Sequence, residues 1–305
     1  MRIFLAGATG AIGRPLVERL LADGHQVTGT TRDAGRAEQL RARGVTPVVL
    51  DAFDAAAVHA AVRAAEPEVV VHQLTALPQQ PDPKHMAAAV EETGRLRRET
   101  VPAFIAAAHA AGARRIVVQS ISFVTQPDGR PDHDEDAPMA PGQEDVAAME
   151  AAVLGAPAGL DALSLRYGFF YGPGTWYAPD GAIGQMIAKR RFPLIGSTEG
   201  RSSFLHVDDA VEATVRALDR APSGIYNITG DEPLPQRVWL PHAAQLMGAK
   251  RPRHVPAWLA RRLAGDAVVH YGTTLPGNLN GRAVAALDWR PRPWRDGFAE
   301  VFGRA

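Results

Sequence analysis

The chain reads as an α/β protein built on a doubly wound parallel sheet, and three observations predict this. Short β-branched runs alternate with Ala/Leu-rich stretches of helical period from Met1 to about Leu165. Those runs are apolar along their length, as strands covered on both faces must be. The segment Gly7-Ala8-Thr9-Gly10-Ala11-Ile12-Gly13 joins the first run to the first helix.

Taken in order, Arg2–Ala6 is the first strand, and the helix after it carries Ile12, Leu16, Leu20 and Leu21 on one stripe. Gln26–Thr30, a helix around Ala34–Arg43, Val45–Leu50, a helix over Ala55–Ala65 and Val69–His72 continue the alternation. A long helical region, Met86–Ala111, leads to the strand Arg115–Ser120, and a helix near Glu144–Leu154 leads to Leu163–Arg166. After Tyr171 the texture changes: Gly172-Pro173-Gly174 is a turn cluster, and most of the 24 prolines lie beyond Pro127. Phe204–Val207 and Gly224–Ile228 are expected to return to the sheet edge, while Trp239–Met247 and Trp258–Ala264 read as helices. The expected division is a dinucleotide-binding domain over 1–170 and a smaller substrate-binding lobe over most of 171–305.

Composition narrows the function. The 305 residues are 46% hydrophobic and carry 33 basic against 33 acidic side chains, so no basic footprint for nucleic acid is expected. With no cysteine, thiolate nucleophiles and Cys-based metal sites are excluded, and a cytoplasmic setting fits. The opening apolar run is too short for a signal-peptide core, no stretch is long enough for a membrane span, and no His/Asp/Glu spacing suggests a metal site.

The glycine segment supplies the chemistry. In such a strand–turn–helix unit the first glycine permits the tight turn, the second lets backbone approach a pyrophosphate, and the third allows close helix–strand packing. Gly7, Thr9, Gly10, Ile12 and Gly13 are therefore candidate cofactor contacts, with N–H groups at the helix start facing the phosphates. At the tip of the second strand, where a carboxylate would grip the ribose of NAD, stand Thr31 and Arg32, with Arg36 one helical turn on. A guanidinium there suits a 2′-phosphate, which favours NADP over NAD. The plainer alternative makes Arg32 an exposed loop residue and Asp33 a helix N-cap. Asp51 and Phe53, after the third strand, are candidates for the adenine; Asp54 suits the helix N-cap better than Asp51 does.

Several stretches resemble the extended short-chain dehydrogenase/reductases, close to the NAD-dependent epimerase/dehydratase family. They are the glycine turn, Leu50-Asp51-Ala52-Phe53-Asp54, Val69 through Ala76, Leu165 through Gly174, Phe204 through Ala210, Gly224 through Ile228, and Leu287 through Pro291. The resemblance implies a Rossmann-type sheet of seven parallel strands with a C-terminal lobe over the nicotinamide. It implies cofactor contacts at the ends of strands four and five, here Gln73, Leu74, Thr75, Gln119 and Ser120, and at Tyr167 just after Arg166. It further implies a small-molecule substrate and a homodimer formed through the helices over 86–111 and 144–154.

Members of that family usually pair a strand-five serine with Tyr-x-x-x-Lys, whose tyrosine exchanges the proton while lysine lowers its pKa and holds the ribose. None of the three lysines here (Lys84, Lys189, Lys250) lies four residues after a tyrosine. Aligning the helix through Glu150 puts Gly142 and Val146 at the two positions. Ser120, with Ser122 second, is the candidate catalytic serine, and Tyr177, in an aromatic loop, a candidate replacement acid. Tyr171 and His206 read as structural, His72 as a core histidine, and Arg201 as either a surface cation or a grip for an anionic substrate. The resulting expectation is an NADP-dependent oxidoreductase acting on a small carbonyl or alcohol with a non-standard proton donor. A sugar-nucleotide epimerase or dehydratase, and an NADP(H)-binding sensor, isomerase or cyclase, are the alternatives.

Overall fold

The computed structural model describes residues 1–81 and 84–303. Seven strands form the central sheet: β1 (Arg2–Ala6), β2 (Gln26–Thr31), β3 (Thr46–Val49), β4 (Val69–His72), β5 (Arg115–Ile121), β6 (Asp161–Tyr167) and β7 (Gly224–Ile228). Their spatial order is β7-β6-β5-β4-β1-β2-β3, and every pairing is parallel. The order reverses between β1 and β4, and such a switch point opens a crevice beyond the carboxyl ends of the strands. The register Ala6↔His72 and His72↔Val118 brings the ends of β1 and β4 level at that crevice, with β5 running on past them to Ile121.

Helices cover both faces. On one side α1 (Gly13–Ala22), α2 (Ala34–Ala42) and the helix Val207–Arg216 pack Leu16, Leu20, Leu40 and Val211 onto Ile3, Leu5, Val69 and Leu163. On the other side α3 (Ala55–Ala65), α5 (Val101–Ala110) and α6 (Glu144–Leu154) pack Val58, Phe104, Val146 and Met149 onto Phe4, Val70 and Ile116. Alternate residues of one strand thus feed opposite cores, which is why these runs must be apolar throughout. Burying each such side chain contributes about 1.5–3 kcal/mol.

The long helical region is interrupted. It runs as α4 (Met86–Arg95), a π-helical turn over Leu96–Thr100, and then α5. A second correction concerns Phe204–His206. This strand does not join the main sheet; it pairs in parallel with Phe169–Tyr171 as a separate two-stranded unit. Gly168 separates Phe169 from β6, its N–H donating to Ile228 O at 3.0 Å, and so the chain leaves the sheet before that pair forms. Gly224–Ile228 does join the sheet, as its outermost strand beside β6. Beyond it an aromatic core of Tyr171, Phe204, Trp239, Trp294, Phe298 and Phe302 holds the C-terminal elements together. No helix among the described residues is long and apolar enough to cross a membrane.

Candidate active site

A cleft of roughly 830 Å³ lies along the carboxyl ends of the strands. The glycine turn forms its floor. Gly7 sits at φ +91°, and a side chain there would stand 2.7 Å from Gln73 O. A Cβ on Gly13 would stand 2.0 Å from Gly7 O, so only glycine lets α1 begin this close to the turn. Gly7, Thr9, Gly10 and Ile12 line the cleft; Gly13 does not, and its part is the packing. Open backbone beneath a crevice at a switch point fits the diphosphate of a dinucleotide.

The far end of the cleft is basic. Arg14, Thr31, Arg32, Arg36 and Arg43 line it, together with Asp51 and Phe53. Among the described residues, the guanidinium groups of Arg14, Arg32 and Arg36 meet no carboxylate, whereas Arg43 pairs with Glu18 at 3.3 Å. Asp33 caps α2 by accepting from Arg36 N at 2.7 Å, and Asp54 caps α3 by accepting from Ala57 N at 3.0 Å. Asp51 accepts from Phe53 N at 3.0 Å, and the Arg95 guanidinium stacks 4.6 Å from the Phe53 ring centre.

The near end gathers Gln73, Leu74, Thr75, Gln119 and Tyr167. Gln73 Nε2 donates to the Tyr167 hydroxyl at 3.0 Å. The Thr214 hydroxyl donates to Ala210 O at 2.6 Å, so Tyr167 must donate to Thr214 in their 2.7 Å bond. Its proton is thereby committed, and burial pushes the Tyr167 phenol up to about 12.

Both candidate serines turn away from the cleft. Side chains of a strand alternate, and Gln119 and Ile121 take the cleft side together with Phe123 beyond the strand's end. Ser120 is buried and donates to Glu150 Oε1 at 3.0 Å, inside a network that holds Arg166. Ser122 is equally buried, and its hydroxyl has no partner among the described residues. The assignment of Ser120 and Ser122 to catalysis is therefore corrected, as is the cofactor contact expected of Ser120.

What faces the cleft instead is aromatic. Phe123 and Phe169 stack at 4.4 Å with planes 12° apart, and Tyr271 meets both edge-on. Tyr177 lines the cleft, with its ring 6.4 Å from Phe169 and 5.2 Å from Phe204. Its phenol has no hydrogen-bond partner among the described residues, and burial raises it well above its ordinary range. Trp176 closes the roof, its indole N–H donating to Pro78 O at 3.0 Å across the cleft.

The remaining candidates are structural. His206 Nδ1 caps the helix Val207–Arg216 by accepting from Asp208 N at 3.1 Å. His72 bonds Thr100 Oγ1 at 2.9 Å inside the core. Arg201 pairs with Asp132 at 2.8 Å and lies outside the cleft. At the helix position aligned with the dyad's lysine, Val146 is buried in the core beneath α6, and Gly142 precedes the helix. Sequence reading missed Arg14, Phe123 and Arg97. Two of these had signals: Phe123 continues the alternation from Gln119 and Ile121, and Arg97 stands on the buried stripe with Thr93, Thr100, Val101 and Phe104.

A profile of the NAD dependent epimerase/dehydratase family matches residues 3–229. The chain belongs to that family. It is an NAD(P)-dependent enzyme of the family, and its full length is shared with characterised members. A "3-diazoavenalumate denitrifying reductase" of a Streptomyces species is 48% identical over 98% of this chain and 99% of its own. UDP-glucose 4-epimerase of Mycolicibacterium smegmatis is 29% identical over 96% and 94%. Among solved structures, UDP-glucose 4-epimerase of Thermotoga maritima superposes with a TM-score of 0.75 at 18% identity, covering 99% of this chain and 97% of that one. This last likeness is one of fold, and it agrees with the seven-stranded sheet.

Proposed function

We propose that the protein is an NADP-dependent reductase that delivers hydride to a small aromatic diazo compound and expels its nitrogen. The observation that carries this reading is the wall of the cleft beyond the glycine turn. Ile121, Phe123, Phe169, Trp176 and Tyr177 form it, without a lysine, histidine or carboxylate among them.

When bound, the reduced dinucleotide supplies a hydride; a carbonyl acceptor would require a proton on its oxygen as well. An aryl diazonium group makes no such demand. Its C–N bond breaks with the electron pair leaving on dinitrogen, and a C–H bond forms from the hydride and its pair. Charge balances without a proton, which fits a cleft lacking the Tyr-x-x-x-Lys pair. The 48% identical relative, named for reduction of a diazo compound, supports the same class of acceptor. The stacked Phe123 and Phe169 would receive an aromatic ring and favour its positive charge, and the Trp176 roof would keep out the water that hydrolyses such a group. The unpaired Arg14, Arg32 and Arg36 support NADP as the dinucleotide.

A second reading, carbonyl reduction with Tyr177 as the acid, is favoured by the unpartnered Tyr177 phenol facing the cleft. The two separate in one experiment. NADPH deuterated at its hydride-donating carbon is offered with a hydroxyaryl diazonium acid, a panel of aldehydes and ketones, and UDP-glucose. The expected product is the arene carrying deuterium where nitrogen was lost, with one dinitrogen released per NADPH consumed. Turnover confined to carbonyls would select the second reading, and UDP-sugar interconversion without net NADPH loss would sink both.

A further inference from the structure

Arg97 lies on the π-helical turn, is 9% exposed, and lines the cleft beside Gln73, Leu74, Gln119 and Ile121. Its guanidinium forms no ion pair or hydrogen bond with any described residue, and its buried Nε has no partner. The contrast with its neighbours is sharp: Arg95 pairs with Glu92 and Glu99, and Arg98 with Asp145. Asp145 and Glu150 favour its charge only from a distance, against a larger loss of hydration; a buried charge without a direct partner is costly, and a π-turn within an α-helix is often found at functional sites. A guanidinium has no acceptor lone pair and in proteins does not lose its proton, so its N–H groups call for acceptors from the cleft side, and the oxygens of a bound anionic ligand supply both acceptors and charge.

We propose that Arg97 holds the ribose-phosphate of the nicotinamide half of the dinucleotide. Position selects that ligand. A dinucleotide at a switch point runs across the crevice, with its adenosine half over β2 and β3 and its other half over the ends of β4 and β5. Arg32 and Arg36 stand at the first end, and Arg97 stands with Gln73 and Gln119 at the second. The π-turn packs on α6, and Val146 of α6 is buried and apolar, so the cation reaching this end of the cleft comes from the neighbouring helix. Arg97 is a binding and positioning residue in this assignment, not a proton donor.

The test is calorimetric and needs no turnover. Arg97→Met and Arg97→Lys are titrated with NADPH and NADH, and with adenosine 2′,5′-bisphosphate and ADP, which lack the nicotinamide half. Arg97→Met is expected to weaken the tighter-binding whole dinucleotide about 10- to 100-fold, as expected for one charge-assisted contact, and to leave the adenosine fragments unchanged. Arg97→Lys should recover part of the loss. Unchanged dinucleotide affinity overturns the proposal, including the case in which only the KM for an acidic substrate rises. Equal losses for whole and half cofactor overturn it too, because they indicate a structural role. Should Arg97→Met not fold, the Arg97→Lys and Arg97→Gln titrations decide by the same comparison. Failure of the diazo reading leaves this experiment intact.

Discussion

Arg166 and Glu150 form a two-point pair in the interior, Nε to Oε1 at 2.8 Å and Nη2 to Oε2 at 2.6 Å, with both side chains 3% exposed. Ser120 and Ser164 add hydrogen bonds to Oε1, so the carboxylate that anchors α6 to β5 and β6 is well satisfied. Removing one partner leaves a buried charge alone. Glu150→Ala is expected to lose about 3–5 kcal/mol of stability, read as a lower denaturation midpoint. The double variant Glu150→Ala, Arg166→Met should be less destabilised than the single one; equal or greater loss would contradict a charge-based account.

Arg32→Ala tests the choice of dinucleotide. A guanidinium contact to the 2′-phosphate contributes about 1.5–3 kcal/mol, so NADPH affinity should fall about 10- to 100-fold while NADH affinity holds. An unaltered ratio of the two dissociation constants would remove Arg32 from recognition.

Tyr177→Phe separates the two proposed reactions. Hydride displacement of nitrogen needs no acid, and the variant should keep turnover to within a few-fold of the parent. A general-acid role predicts a fall of about 10²–10⁴, together with loss of any pH dependence tied to the raised phenol.

His72 sets part of the acid stability. Burial holds it neutral in the folded protein, its pKa lowered to about 4 from 6.5, with the nearby Arg97 charge acting in the same direction. The unfolded chain therefore takes up the proton first as pH falls, and stability drains between about 6.5 and 4, by roughly 3 kcal/mol in all. Above that window the contribution is complete. Denaturant curves against pH should show a shallower slope there for His72→Gln than for the parent; superimposable profiles would contradict the assignment.

The parts of the molecule that were legible in the sequence are those in which local pattern and global position coincide. β1, β4 and β7 run over the expected residues, and the glycine turn lies where strand and helix flank it, because buried strands and tight turns each restrict composition. Ser120 went astray for a reason the sequence already contained. Neighbours on a strand face opposite ways, so Gln119 and Ser120 cannot both reach one cleft. The π-turn is different: a bulge of one extra residue leaves no compositional mark, and Arg97 was visible only as a charge on an otherwise buried stripe. Phe204–His206 has the apolar texture of a sheet strand, and its partner, Phe169–Tyr171, is decided by where the chain turns after β6.

The outermost strand makes the two halves of the chain inseparable. β7 is contributed from beyond the aromatic roof, yet it alone covers the free edge of β6. Near it the Arg115 guanidinium, from β5, binds the carbonyls of Ala217, Arg220 and Ala221. A chimaera that borrows its roof from a relative must therefore leave residues 207–228 with the first half. Cut simply at residue 170, the first half would carry an open sheet edge and an Arg115 guanidinium left with Asp161 but without its three carbonyls, an invitation to self-association. New acceptor specificities can thus be grafted only around this returning strand, as paired insertions on either side of it.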